Sequence, residues 1–265
     1  MPSTRALKTR IRSVTSTKQI TKAMQLVAAS KMRRAQETTK ASAPYADAAG
    51  ELLRRLAQQV ATDNHPLFVR REIKRRLIIV IAADKGLAGA YNSNILKKYL
   101  ELLQRDDERG IENLTIAVGR KASQFATRLK DTEVIGTYED LADRPSSVDF
   151  HAILTMATGM YARAEVDAVT LVYTDFVSSV TQTAQWQRLL PAGTPTAVNP
   201  TDMADSLEEA TYEPSAREVL DFVAERLVSA QLFQAMIDAR ASEHSMRMLA
   251  MKNATDNASD LVDDL

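Results

Sequence analysis

The chain has 265 residues, and its 34 basic and 34 acidic side chains give a formal net charge of zero. This balance gives no sign of a nucleic-acid or membrane binder, and the lack of cysteine excludes disulfides, thiolate metal sites and cysteine nucleophiles. The best apolar run, 77–83, is far shorter than the roughly 18 residues that cross a bilayer. No apolar signal-peptide region follows the basic N-terminus, although residues 1–36 lack Asp and Glu and so leave a mitochondrial presequence as an alternative.

Glycine and proline are absent from residues 3–43 and 215–265, which predicts a long helix at each end of the chain. Ser215 is a plausible N-cap of the second helix, with Glu218 three residues later as in a capping box. A mostly apolar heptad stripe follows it, which predicts packing against a partner helix. Its members are Leu220, Val223, Leu227, Ala230, Gln234, Ile237, Ala241, His244, Met248, Met251, Thr255, Ala258, Val262 and Leu265.

The N-terminal segment is the natural partner for that stripe. It carries two apolar stripes separated by a shift of phase, namely Leu7, Ile11 and Val14, and then Ile20, Met24 and Val27. Its threonines lower the helix propensity, so the segment needs a partner to be stable as a helix. The two ends therefore predict an antiparallel pair of long helices.

The middle of the chain alternates between strand and helix patterns, which predicts a mostly parallel sheet covered by helices. Strands are expected at 77–83, 113–118, 133–136, 168–174 and 176–190, and helices at 89–104, 120–130 and 148–164. The predicted division is an N-terminal helix over 1–60, an α/β domain over 70–200 and a C-terminal helix over 212–265. The fold class is α+β.

No convincing active site is visible in the sequence. Residues 83–90 join a strand to a helix, where phosphate-binding loops occur, but they lack the Gly-Lys-Ser/Thr ending of a P-loop, and a tight structural turn is the competing interpretation. The histidines, at 65, 151 and 244, do not have metal-ligand spacing. The acidic residues at 256, 260, 263 and 264 are typical of a solvated helix face.

The basic start of the chain is a sharper feature. Residues 1–40 hold ten basic side chains against one acidic side chain, Glu37, which is a formal charge of +9. Contact with nucleic acid and contact with an acidic protein surface are two competing explanations. No aromatic residue occurs in the first 44 positions, which disfavours nucleic acid. An enzyme that binds nucleotide at 84–92 is a third hypothesis.

Four stretches, at 11–36, 84–92, 212–215 and 241–258, resemble the gamma subunit of F-type ATP synthase of the bacterial kind. The resemblance implies an antiparallel coiled coil of the terminal helices with a Rossmann-like α/β domain. It further implies a non-catalytic rotor stalk without a cofactor, which couples rotation driven by proton flow to ATP synthesis or hydrolysis in a hexamer of three alpha and three beta subunits. The other implied partners are the epsilon subunit and the c-ring, with no nucleic acid.

The same resemblance implies six coupling residues: Lys22, Met24, Lys31, Arg33, Arg34 and Arg247. The first five match a basic helix region implicated in contacts with acidic beta-subunit loops. The implied location is the cytoplasmic side of the plasma membrane, as a peripheral protein. Family members also continue beyond the segment that matches 260–265 into a tip that enters the top bearing, so torque transmission there is an open question for this chain.

Overall fold

The computed structural model describes residues 4–59, 65–130, 132–140, 142, 147–193 and 215–265. A long helix forms each end of the chain, and the segment between them contains a five-stranded sheet. This confirms the predicted α+β fold class. In chain order the elements are α1 (Thr4–Gln59), β1 (Arg75–Ile81), α2 (Tyr91–Asp107), β2 (Glu112–Val118), α3 (Arg120–Ala126), β3 (Glu133–Tyr138), α4 (Ser147–Ala162), β4 (Ala168–Phe176), β5 (Gln182–Leu190) and α5 (Ala216–Asp263).

The sheet has the strand order β3-β2-β1-β4-β5. β1 pairs in parallel with β2 and β4, and β2 pairs in parallel with β3, whereas β5 runs antiparallel to β4. The prediction of a mostly parallel sheet is therefore confirmed. Parallel strands need crossover connections, and these place helices over both faces of the sheet.

The central strand β1 is buried on both faces because its successive side chains point to opposite sides. Ile78 and Val80 share one apolar core with residues of α2 and α3, such as Tyr99. Leu77 and Ile79 belong to the other core, which holds residues of α4, α5 and the end of α1. The sheet is thus the middle layer of three, and α5 is part of the outer layer on one side.

Most predicted elements differ by a few residues from their bounds in the structure, such as β1, which is expected at 77–83 and lies at Arg75–Ile81. Two predictions need a fuller correction. The region 176–190 is not one strand: β4 runs on to Phe176, a turn follows, and β5 begins at Gln182. The Ser178 hydroxyl accepts hydrogen bonds from the backbone N–H of Val180 and Thr181, which closes that turn. The helix expected at 89–104 begins two residues later and continues to Asp107.

The helices α1 and α5 pack along each other in antiparallel orientation, and their contact is the most extensive between two described elements. Residue numbers rise along α1 as they fall along α5 in three side-chain contacts: Lys18 Nζ to Ser259 Oγ at 2.8 Å, Thr21 Oγ1 to Thr255 Oγ1 at 2.8 Å, and Ser42 Oγ to Gln234 Oε1 at 2.6 Å. With 56 and 48 residues, the two helices are roughly 84 and 72 Å long.

The seam between the helices keeps a single heptad phase along α1. Its members are buried or half-buried: Leu7, Ile11, Val14, Lys18, Thr21, Gln25, Ala28, Met32, Ala35, Thr39, Ser42, Ala46, Ala49 and Leu53. The expected shift of phase is therefore wrong, and Ile20 and Val27 are exposed. Small residues such as Thr21 and Ala28 occupy the seam because they let the two backbones approach closely. On α5, the predicted stripe is largely confirmed, with Leu227, Ala241, His244, Met251, Thr255 and Ala258 buried.

The helix α1 extends beyond the stretch that lacks glycine and proline. Pro44 lies inside it, although proline cannot donate the i to i−4 hydrogen bond and disfavours a helix interior. Gly50 also lies inside it, where a Cβ atom would stand 3.1 Å from Gln231 Nε2 of α5, so a larger residue would crowd the partner helix. Contact with α5 thus sustains helix where the local sequence signals a break.

The start of α5 follows the predicted capping. The Ser215 hydroxyl accepts a hydrogen bond from the backbone N–H of Glu218 at 3.2 Å and lies 3.1 Å from the Glu218 carboxylate. Residues 212–214 of the predicted motif at 212–215 lie outside the described residues.

Candidate functional site

The exposed surface of α1 around residues 20–34 carries the first candidate site. Ile20, Leu26 and Val27 are 58, 60 and 56% exposed, which is unusual for large aliphatic side chains on a helix that already has a partner. Sequence reasoning placed Ile20 and Val27 in the seam and missed Leu26. Heptads counted from Leu7 place 21 and 28 in the seam, which leaves Ile20 and Val27 outside it. The phase of the first stripe therefore predicts correctly that these two side chains are exposed.

The basic residues of α1 lie beside these apolar side chains. At about 100° per residue, Thr21 and Ala28 mark the seam, and the residues just before and just after them fall on opposite flanks of the helix. The first flank contains Ile20, Val27, Lys31 and Arg34, and the second flank contains Lys22, Leu26 and Arg33. Each flank therefore combines exposed apolar area with positive charge.

The predicted coupling residues on α1 keep their charged groups at the surface. Lys22 donates a hydrogen bond to Gln25 Oε1 at 3.3 Å, and Arg33 is paired with Glu37 at 3.4 Å although its side chain is 82% exposed. Lys31 and Arg34 are exposed too, and Met24 is half-buried at the edge of the seam. A surface ion pair such as Arg33–Glu37 contributes little stability, so this charge is available to a partner.

Arg247 is separated from the other five predicted residues. Its side chain is only 12% exposed, and it lies on α5 against the loop that follows β1. Its guanidinium donates to Glu243 Oε1 at 2.6 Å and to the carbonyl oxygens of Lys85 and Gly86, each at 3.3 Å. Arg247 thus holds parts of this chain together in the structure.

The loop that Arg247 contacts has the properties of the predicted tight turn. Leu87 and Gly89 have positive φ values of 61° and 55°. Asn92 Oδ1 accepts the backbone N–H of Ala83, and Asp84 Oδ1 accepts the backbone N–H groups of Arg120 and Asp140, all at 3.0 Å. The polar residues of this motif are therefore engaged in hydrogen bonds within the chain.

The charge on Asp84 is stabilised by its surroundings. Burial acts to raise the pKa of this carboxyl, but the two backbone N–H donors and the Arg240 guanidinium outweigh it, so the pKa lies below its usual value. Arg240 Nη2 is 3.4 Å from Asp84 Oδ2, and Arg240 Nη1 is 3.1 Å from Glu243 Oε2. A chain of alternating charges therefore connects the loop to α5.

The remaining sequence candidates do not form a chemical site in the described parts of the chain. Among those residues, no group of three or more His, Asp or Glu side chains is placed to hold a metal ion. His244 is buried on α5, as expected for the seam, and Asp256, Asp260 and Asp263 are exposed near the end of α5. Across the same described ranges, no helix has the length and apolarity needed to span a bilayer.

Comparisons with known proteins agree on one family. The family model described as ATP synthase matches residues 3–265. The ATP synthase gamma chain of Legionella pneumophila strain Corby is 35% identical over 99% of this chain and 90% of its own length, and that of Moorella thermoacetica is 39% identical over 98% and 88%.

Solved structures show the same fold. The central stalk and c-ring structure of the Tetrahymena thermophila mitochondrial ATP synthase contains a chain that is similar with a TM-score of 0.61 and 22% identity, over 89% of this chain and 99% of that one. A chain of the Euglena gracilis mitochondrial enzyme in rotational state 3 is similar with a TM-score of 0.65 and 16% identity, over 98% of this chain and 84% of that one.

Proposed function

We propose a mechanism for this chain from the premise that it belongs to the family of ATP synthase gamma chains and forms the central stalk of that enzyme. The antiparallel pair of α1 and α5 is the shaft, and the α/β domain is its foot. The division into an N-terminal helix, an α/β domain and a C-terminal helix is then a functional one. The observation that carries the proposal is a long helical pair with exposed apolar and basic flanks.

The shaft acts through its asymmetry. The flanks of α1 are apolar and basic, whereas the end of α5 carries the exposed acidic residues Asp256, Asp260, Asp263 and Asp264. As the shaft turns, a fixed neighbour meets these surfaces in sequence. Each orientation then favours a different conformation of that neighbour, because a surface shifts an equilibrium only through its different affinity for the two states.

The partners that meet this surface are the three alpha and three beta subunits of the hexamer. Acidic loops of the beta subunits fit the flanks, since Lys22, Lys31, Arg33 and Arg34 supply positive charge beside apolar area. Met24 adds a half-buried contact between the flanks and the seam. Arg247 supports coupling from inside the chain. At the foot, the α/β domain contacts the epsilon subunit and the c-ring, and it connects their rotation to the shaft.

We also propose that ATP chemistry belongs to the hexamer and not to this chain. In open α/β sheets the ligand position lies outside the carboxyl ends of the strands, where the strand order reverses. Here that position, between β1 and β4, is covered by α5, because Ser242 donates to the carbonyl of Thr174 and Arg247 to the loop after β1. We therefore propose that the chain has no cofactor of its own. Its proposed location, as part of the complex, is peripheral to the plasma membrane on the cytoplasmic side.

Reconstitution tests the stalk assignment. The purified chain is mixed with alpha and beta subunits of its own organism, and the product is sized and assayed for ATP hydrolysis. We expect an assembly with three alpha, three beta and one stalk subunit whose hydrolysis depends on the stalk. Failure to assemble contradicts the stalk assignment, whereas salt-dependent binding of duplex DNA by the isolated chain favours the nucleic-acid explanation of the basic start.

A charge reversal tests the flanks. The triple substitution of Lys31, Arg33 and Arg34 by Glu is expected to reduce proton pumping per ATP hydrolysed more than it reduces assembly, since it reverses the charge that faces the acidic loops. Normal pumping in this variant contradicts the assigned role.

The matched control makes the same change of net charge on the α/β domain. Arg109, Arg128 and Lys130 are exposed there, and their triple substitution by Glu is expected to leave the ratio of pumping to hydrolysis closer to normal. Equal effects of the two triple variants mean that net charge, not the flanks, controls coupling.

A further inference from the structure

The carboxyl edge of the sheet is bound to α5 by charged groups that are shielded from water. Asp84 follows β1, and its side chain is 10% exposed, while those of Arg240, Glu243 and Arg247 on α5 are 14, 5 and 12% exposed. Shielding matters because ion pairs at an open surface are weakened by water and salt, whereas partly buried pairs are screened much less. These four side chains are called the latch below.

The latch is continuous from the sheet to the helix. Asp84 Oδ1 accepts the backbone N–H groups of Arg120 and Asp140, which follow β2 and β3, and its other oxygen faces Arg240. Glu243 receives Arg240 at 3.1 Å and Arg247 at 2.6 Å on its two oxygens. Arg247 then returns to the carbonyl oxygens at 85 and 86. The Asp84 carboxylate therefore connects the ends of β1, β2 and β3, and Arg240 binds it to α5.

The rest of the contact between α5 and the sheet is mostly apolar, although Ser242 also donates to the carbonyl of Thr174 and Ser245 to the carbonyl of Ser179. Below the latch, α5 packs through Leu220, Ala224, Leu227, Val228, Leu232, Ala235, Met236 and Ala239. Each apolar contact of this kind is non-directional, so the charged groups at the carboxyl edge add a directional constraint to the packing of the core. Charge-assisted hydrogen bonds are directional, and a two-oxygen carboxylate between two guanidinium groups fixes geometry as well as distance.

We propose that the latch fixes the rotational angle of the α/β domain about α5, so that the foot and the shaft turn as one body. Asp84, Arg240, Glu243 and Arg247 are positioning residues in this role, and none of them needs to touch a partner subunit. The inference rests on the proposed stalk function for its consequence in coupling. The geometry within the chain can be tested without any partner.

The first test measures that geometry in the isolated full-length chain. Spin labels are attached at Gln124→Cys on α3 and Lys252→Cys on α5, both exposed positions in a chain that has no other cysteine. Glu243→Gln, which removes the charge between Arg240 and Arg247, is expected to broaden the distribution of label-to-label distances. The matched control is Glu101→Gln, which breaks only the exposed pair with Lys98. An unchanged distribution in Glu243→Gln refutes the latch.

The second test replaces the latch by a covalent bond. A Cβ atom built on Gly89 lies 3.7 Å from Ala250 Cβ, which matches the Cβ separation of about 3.8 Å in disulfides. A disulfide between Gly89→Cys and Ala250→Cys therefore joins the loop to α5. Because Gly89 has a φ of 55°, a cysteine there is strained, so the pair is first made in the otherwise unaltered chain to measure its own effect.

The readout is proton pumping per ATP hydrolysed in the assembled enzyme. The enzyme with Glu243→Gln is expected to lose proton pumping and to keep ATP hydrolysis. When the cysteine pair is added to this variant, we expect oxidation to restore pumping and reduction to abolish it again. If the disulfide forms and pumping stays low, Glu243 acts by direct contact with a partner and the latch is wrong. If the unaltered chain fails to assemble, the stalk function is wrong, while the spin-label distances still decide the latch.

Discussion

Asp238 offers a sharp test of the packing between α5, α1 and the sheet. Asp238 is 6% exposed, and its carboxyl accepts a hydrogen bond from Gln234 Nε2 at 2.9 Å. Burial is the main cause that raises the pKa of Asp238, to about 7, and the nearby carboxylates of Asp175 on β4 and Asp47 on α1 add to the rise. The hydrogen bond from Gln234 acts in the opposite direction. The structure thus places a carboxyl that holds its proton at mildly acidic pH.

The sign of the effect on stability follows from this rise in pKa. In the unfolded chain the Asp238 carboxyl has its usual pKa of 3.8, so between that value and about 7 only the folded chain retains the proton. The free energy of unfolding therefore falls as the pH rises through this window, and it stays low above it. A rise of about three pKa units corresponds to roughly 4 kcal/mol.

The substitution Asp238→Asn removes this dependence. Asparagine stays neutral and still accepts the hydrogen bond from Gln234, so we expect little change near pH 4 and a gain of up to about 4 kcal/mol near pH 8. Denaturant unfolding followed by far-UV circular dichroism at a series of pH values measures the difference. Asp256→Asn, at an exposed position of the same helix, is the control and should leave the curve unchanged.

A second substitution checks the cause. Asp175→Asn removes the neighbouring carboxylate, so the pKa of Asp238 should fall and the pH window should narrow. If Asp238→Asn changes stability by the same amount at both ends of the pH range, the carboxyl does not hold a proton in the folded chain, and the assigned burial between the three elements is wrong.

Two further predictions concern the seam and the sheet. Leu227→Asp places a charge at a buried seam position and should cost more than about 3 kcal/mol of unfolding free energy. Leu26→Asp, at an exposed flank position, should cost little. Equal denaturation midpoints for the two variants contradict the assignment of Leu227 to the seam. Gly119→Ala should destabilise the sheet edge strongly, because its Cβ would stand 2.1 Å from the Ala82 carbonyl oxygen at a φ of 89°. Gly86→Ala, where a Cβ meets nothing within 4 Å, is the control, and equal stability of the two variants contradicts the close approach of the loops.

The sequence predicted those parts of the fold in which burial and apolarity coincide. Residues 77–81 of β1 are a continuous run of Leu, Ile and Val that is buried on both faces, and a run of this kind has few alternatives. The seam of α1 does not obey the same rule, because Thr21 and Ala28 are buried there while Ile20 and Val27 are exposed. A helix that must approach its partner closely buries small residues, and on α1 the larger Ile20, Leu26 and Val27 lie on the exposed flanks. A search for apolar stripes then finds the outer surface in place of the seam.

The candidate site shows the same limit. Composition located the basic start of the chain, and the structure places Lys22, Lys31 and Arg33 at the surface. The partners of Arg247 could not be predicted, because two of them are carbonyl oxygens more than 160 positions away, and a backbone acceptor leaves no trace in the sequence. Burial of its charge next to Glu243 depends on how α5 crosses the sheet, which is a property of the assembled fold.

The contrast between the seam and the latch has a mechanical meaning. In the outer part of the pair the seam uses Thr21, Ala28 and Ala258, whose small side chains bury little apolar area, so each contact there contributes little stability. In the proposed assembly a surrounding subunit covers the exposed Ile20 and Val27, and the apolar area buried there compensates for the weak seam. The proposed outer shaft therefore relies on its surrounding subunits for stability, whereas near the α/β domain α5 belongs to an apolar core and to ion pairs within the chain. The proposed latch thus predicts that torque entering at the α/β domain meets its stiffest connection there, and that the outer pair transmits it only while surrounding subunits cover Ile20 and Val27.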